Sequence, residues 1–360
     1  MKRCGLLALI VLAQFAALEA GLRWYGGSEA SPAFQQLFMQ DPRVGHRLRP
    51  GASARYTTPE FSTDITINPQ GVRDDAPVGP KAADEVRVVI LGDSLVLSVQ
   101  VDLQITFAKQ LEQRLNDAGT GPRWRIINAG VQGYGPVDEW LFYKHVVRDL
   151  QPDVVLMMVF VGNDAVEAHD KQTWIDADGR PASSGSAEAA THLRRVVRSS
   201  MVLQNIRLRW DIMKGSLAGP ATERPLTTYL AEPPPEVQSG LDVSRRAYGL
   251  IAGAAAAQGA TAGLILMPAR FQTDDADFGR LEAIVAQTGG TLVRQAATER
   301  FATALAPLNL PMFDLLPVLA QQPDRAGLFF QRNVHLTPRG HGVVSGALVQ
   351  FVRSLRPVTD

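Results

Sequence analysis

The chain has one cysteine, Cys4, so no disulfide can form within it. No set of Cys and His residues has the spacing of a metal site, and neither a metal nor a cofactor is expected. Charge of one sign is not in excess. Lys+Arg and Asp+Glu are both 36, for a formal net charge of zero. That excludes the basic surplus of a typical nucleic-acid binder. No repeat of fixed period is present. The glycines of Gly130-x-x-Gly133-x-Gly135 lack dinucleotide-binding spacing, and there is no Gly-x-Ser-x-Gly elbow. What holds such a chain together is its core. At 360 residues, 46% hydrophobic and 20% charged, it has the composition of a globular protein and room for one large domain or two small ones.

The one long apolar stretch lies at the start. Lys2 and Arg3 precede a run from Cys4 to Leu18 broken only by Gln14. Residues 1–25 therefore read as a signal anchor or signal peptide, with the positive end inside. The expectation is a single-pass anchor in a bacterial inner membrane and an extracytoplasmic, periplasmic body, or a secreted protein if the segment is cut. Residues 26–85 read as a lead-in segment packed on the main domain, with one strand at Phe61–Asn68 and a turn at Pro69-Gln70-Gly71.

From residue 86 onward strands alternate with helices. Val86–Leu91 is an apolar, mostly β-branched strand, and Thr106–Asp117 is a helix carrying Phe107, Leu111 and Leu115 on one face. Arg125–Asn128 and Asp153–Val161 are further strands, with a helix over Val137–Leu150 between them. The rhythm breaks over about 165–245, which reads as an insertion. It holds a hairpin at Trp174–Arg180, a basic helix at Thr191–Met213 and a stiff connector at Glu232–Pro235. The pattern resumes with a helix at Tyr248–Gln258, strands at Ala262–Met267 and Pro311–Leu315, and helices at Phe278–Thr288, Leu292–Leu305 and Pro338–Arg356. Such alternation implies an α/β fold with a parallel sheet and right-handed crossovers.

Four loops then carry the chemistry. Gly92-Asp93-Ser94-Leu95, Asn128-Ala129-Gly130 and Gly162-Asn163-Asp164 each follow a strand's carboxyl end, and Asn333-Val334-His335 precedes the last helix. In a doubly wound sheet these loops converge on one edge. Ser94 there is a candidate nucleophile, with an amide at a glycine, the Asn163 side chain and His335 as oxyanion donors and base. Asp93 reads as structural, its carboxylate bonding loop amides. Asp164 is a candidate to orient substrate or to bond the Ser94 loop.

These blocks resemble the SGNH, or GDSL-type, hydrolase family, named for Ser, Gly, Asn and His in four separated blocks. The resemblance spans about 86–345 and implies a flavodoxin-like three-layer sandwich around a central parallel sheet, preceded by the lead-in and interrupted by the insertion, with the hydrolase domain at 86–357. Glu19-Ala-Gly-Leu22-Arg23 and Ile67–Arg73 are similar to runs in membrane-anchored bacterial members. By this resemblance Ser94 matches the nucleophile, Gly130 and Asn163 the oxyanion residues, and His335 the base. The family usually has an Asp two or three residues before the histidine, where this chain has Asn333 and Arg332. Three arrangements remain open: a Ser-His dyad oriented by a backbone carbonyl, a replacement acid such as Asp324, or a weakened activity. The resemblance implies a serine esterase acting on acyl, above all O-acetyl, esters of a small molecule or carbohydrate. An O-acetyltransferase of exported polysaccharide and a membrane-tethered carbohydrate-binding or assembly protein are the alternatives.

Overall fold

The structure is a computed structural model that describes residues 13–21, 32–117, 119, 121–176, 179 and 224–356. Its centre is a five-stranded, all-parallel sheet made of β5 (Glu85–Gly92), β6 (Arg123–Gly130), β7 (Val154–Phe160), β8 (Thr261–Met267) and β9 (Met312–Asp314), in the order β6-β5-β7-β8-β9. This is the flavodoxin-like order. The chain runs from β5 out to β6 and back past β5 to β7, and the crevice at the carboxyl ends there is where such sheets place ligands.

The near-continuous apolar strands follow from coverage on both faces. Every residue of β5 is buried. Alternate residues enter opposite layers: Val89, Leu91, Val155, Met157 and Leu264 belong to one apolar cluster, and Val88, Ile90, Val154, Leu156 and Ile265 to the other. Two helices cover each face. Pro136–His145 and Pro235–Ala256 place Phe142, Tyr248 and Ile251 in the first cluster, while Phe107–Asn116 and Pro338–Ser354 place Phe107, Leu111, Val344 and Leu348 in the second. Thr106 caps the helix Phe107–Asn116 by accepting from Lys109 N. His341 is buried beside it, and its Nδ1 accepts from Phe107 N at 3.1 Å.

The lead-in holds two antiparallel hairpins, β1 (Phe38–Asp41) with β2 (Gly45–Leu48) and β3 (Ser53–Thr57) with β4 (Ser62–Thr66). Phe34, Leu37, Val44, Tyr56 and Ile65 are buried in the same apolar cluster as β5 residues Val89 and Leu91. Arg73 is 1% exposed. It donates to the carbonyls of Leu97 (2.9 Å), Ser98 and Val101 (2.6 Å), at the end of the first turn after β5 and just beyond it.

Two expectations are corrected. Among the described residues no helix is long and apolar enough to cross a membrane, so the single-pass anchor is not supported. Of its expected span only the helical residues 13–21 are described, and they include Gln14 and Glu19. The helix expected at Tyr248–Gln258 also begins earlier than expected. Pro235 is the first residue of a crossover helix that runs to Ala256, because proline is tolerated at a helix's first position. The basic helix expected at Thr191–Met213, and residues 177, 178 and 180 of the hairpin expected at Trp174–Arg180, lie outside the described residues.

Candidate active site

β5 delivers Ser94 to the sheet's carboxyl edge. Asp93 follows the strand and caps a single helical turn, α1 (Ser94–Leu97), its Oδ1 accepting from Leu95 N at 2.8 Å. Its carboxyl is pushed up to about 7 by burial. Ser94 is thus the first residue of the turn, half-buried, and its backbone N–H is one of the groups a helix start leaves without an internal acceptor.

His335 stands in the loop before the last helix. It is 6% exposed and its Nε2 is buried with no hydrogen-bond partner among the described residues. Asn333 supplies the orienting contact: its Oδ1 accepts from the backbone N–H of His335 at 3.1 Å and also meets His335 Nδ1. A backbone N–H only donates, so the Asn333 atom facing it is the oxygen. The same oxygen then requires a proton on Nδ1, which leaves Nε2 as the free base. Burial alone depresses the imidazole to about 4, so it is neutral at pH 7. Asp324 is not the orienter. It pairs with Arg339 and accepts from Gly327 N at 3.1 Å.

Asn163 follows β7 at the start of the helix Asp164–Asp170. Its Nδ2 donates to Glu167 Oε1 at 2.9 Å, leaving that nitrogen's second hydrogen for another acceptor. Glu167 is held up to about 8, first by burial. Glu139, whose two carboxyl oxygens are buried without partners, is likewise raised by burial and then by the nearby Asp93, and Asp164 by burial and then by Glu139.

Two predicted residues are placed differently from expectation. Gly130 ends β6, but its N–H donates to Asn128 Oδ1 at 3.1 Å and is not free. Its role on this geometry is close packing: a Cβ there would fall 2.3 Å from Leu97 N. On the same loop Gly133 is exposed, has φ +72° as the third residue of a turn closed by Tyr134 N to Val131 O (3.2 Å), and has no partner for its amide among the described residues. Asp164 does not face a substrate. It is 1% exposed, and its Oδ2 accepts from Phe160 N (2.9 Å) and Tyr248 OH (3.0 Å), so it ties β7 to the helix Pro235–Ala256. Glu167 and Gly133 were missed from sequence. The signal for Glu167 was its position one helical turn past Asn163; for Gly133 it was a glycine in the turn after β6.

No family model matches this chain, and no curated protein matches it. Among solved structures it is similar to TesA (15% identity, TM-score 0.41, covering 75% of this chain and 99% of that one). It is similar to the acetyl xylan esterase AlAXEase (14%, 0.42, 74% and 100%) and to the lipase/acylhydrolase from Enterococcus faecalis (13%, 0.38, 76% and 100%). The fold assignment rests on the sheet itself.

Proposed function

We propose that this chain is a serine esterase, with Ser94 as nucleophile and His335 as base, and that a short acyl group, O-acetyl on a carbohydrate, is its substrate class. The substrate class follows the resemblance of the four sequence blocks. The observation that carries the reaction type is the state of His335: a buried, neutral imidazole with Nδ1 held by Asn333 Oδ1 and Nε2 unpartnered.

In this reading Nε2 takes the Ser94 hydroxyl proton as the oxygen attacks the ester carbonyl. The oxyanion is met by the Ser94 N–H, the second hydrogen of Asn163 Nδ2 and the Gly133 amide, in place of Gly130. One such donor is typically worth about 3–4 kcal/mol of barrier. His335 returns the proton to the leaving alcohol, and water repeats the cycle on the acyl-serine. Asn333 fixes the tautomer but adds no negative charge to stabilise the imidazolium.

That last point favours a second reading, a catalytically weakened carbohydrate-binding protein. Hydrolysis of p-nitrophenyl acetate by the wild type and by Ser94→Ala separates the two. Esterase activity that disappears with the alanine supports the first reading; activity that survives it removes Ser94 from the mechanism. Wild-type protein with no turnover that binds acetylated oligosaccharide supports the second.

A further inference from the structure

The lead-in is tied to both halves of the site by one hairpin. The β3–β4 connection, Thr58–Phe61, is internally fixed: Thr58 N donates to Phe61 O at 2.8 Å, and Thr58 Oγ1 accepts from the amides of Glu60 and Phe61, both at 3.2 Å. From this tip Glu60 reaches the loop that carries Asn333 and His335. Its Oε1 accepts from Gln331 N (2.8 Å) and Arg332 N (3.0 Å), and its Oε2 from Arg332 N (3.1 Å). Two consecutive backbone N–H groups on one carboxylate are charge-assisted contacts. Beside them the Phe61 and Phe330 rings pack with centroids 5.4 Å apart.

The same loop is gripped from the other side. Arg270 Nη1 donates to the carbonyls of Phe330 (2.8 Å) and Gln331 (2.6 Å), and Arg270 Nε pairs with Asp277 Oδ2 at 2.6 Å. Phe330 N donates to His335 O at 3.0 Å, closing the loop on itself. The hairpin's second strand also touches the nucleophile segment, where Thr63 Oγ1 donates to Val99 O at 2.6 Å, just beyond α1.

We infer that the β3–β4 hairpin is a strap that sets the base loop against the nucleophile segment, and that Glu60 is a positioning residue for His335. This inference rests on the reading of Ser94 and His335 as nucleophile and base. Glu60 touches no reacting atom. It fixes the two amides that immediately precede Asn333, and so the frame from which Asn333 holds the imidazole. A displacement of about 1 Å at a reacting group can cost roughly a hundredfold in rate.

The test uses the full chain as wild type, Glu60→Ala, Glu60→Gln and Arg55→Ala. Arg55 pairs with Asp64 on the exposed face of the same hairpin and serves as the control for hairpin integrity. Glu60→Ala is expected to lower kcat on p-nitrophenyl acetate by about tenfold to a hundredfold with KM changed by less than about twofold. Glu60→Gln keeps an acceptor oxygen and should recover part of that loss, and Arg55→Ala should match the wild type. Equal kcat for wild type and Glu60→Ala overturns the proposal, as does an equal loss in Arg55→Ala. If the wild type hydrolyses no ester, the esterase reading fails, and the strap is judged by the 15N spectrum of His335 alone. A single Nδ1–H tautomer in the wild type that becomes a mixture in Glu60→Ala supports it; an unchanged spectrum overturns it.

Discussion

Replacing Asn333 by Asp changes one atom of the site and adds a charge where the imidazolium forms. The Asn333 oxygen already lies on His335 Nδ1 and on the His335 amide, so a carboxylate takes over both contacts without repacking. An ionised carboxylate within ~4–6 Å raises a histidine's pKa by about 1–3 units. From about 4 in the wild type, that brings His335 to about 5–7. Each unit is about 1.4 kcal/mol of preference for the charged ring, so the transition state, in which the ring is becoming charged, gains up to ~1.4–4 kcal/mol. The expected result is a rise in kcat/KM on p-nitrophenyl acetate at pH 8 of about tenfold or more. The acid limb of the pH profile should move up by the same 1–3 units. Steady-state kinetics across pH 4–9, with the His335 titration followed by NMR, measure both. A variant whose His335 pKa rises while kcat/KM stays flat refutes the claim that the missing charge limits the reaction. A pKa that does not move refutes the placement of residue 333 on Nδ1.

Three further outcomes follow from the same geometry. In the wild type kcat/KM should stay level above pH ~5 and fall only as His335 protonates near its depressed pKa of about 4, as a pH profile will show. Glu167, raised from 4.5 to about 8, binds more protons folded than unfolded, so its contribution to stability is full below pH ~4.5 and is lost as pH rises to about 8. Melting temperature should therefore fall over that window, and Glu167→Gln should flatten the fall; calorimetry from pH 4.5 to 8.5 checks it. Arg73→Ala strips three buried carbonyls of their donor and should cost about 3 kcal/mol or more in urea unfolding.

The parallel sheet was legible because strands covered on both faces must be apolar at every position, as Val154–Phe160 is. The site's four blocks were legible because each sits at the end of such a strand or the start of the last helix. Other features depend on contacts that sequence spacing does not reveal. β1 and β2 are short, mixed in polarity and held by their partners, so Gly45–Leu48 has no alternation to read. The helix Pro235–Ala256 was expected to begin near Tyr248 because three prolines and Gly240 mask its first turns, although a proline at the first position is compatible with the fold. Gly130 was taken for an oxyanion donor, yet its amide is claimed by Asn128, two residues back in the same strand. Glu60 carried no motif, since its partners Gln331 and Arg332 lie 271 and 272 positions away. Asn333 stands where the resemblance leads one to expect a carboxylate. Its consequence for the tautomer depended on which side-chain atom faces the ring, and only the His335 amide decides that.

In the proposed reaction Ser94 forms the acyl-enzyme with His335 as its base. Peptide mass mapping after reaction with an alkyl fluorophosphonate tests it most directly. A phosphonyl adduct is expected on Ser94 and should be lost in His335→Ala and in Ser94→Ala. An adduct on another residue, or one on Ser94 that forms equally fast without His335, would contradict it.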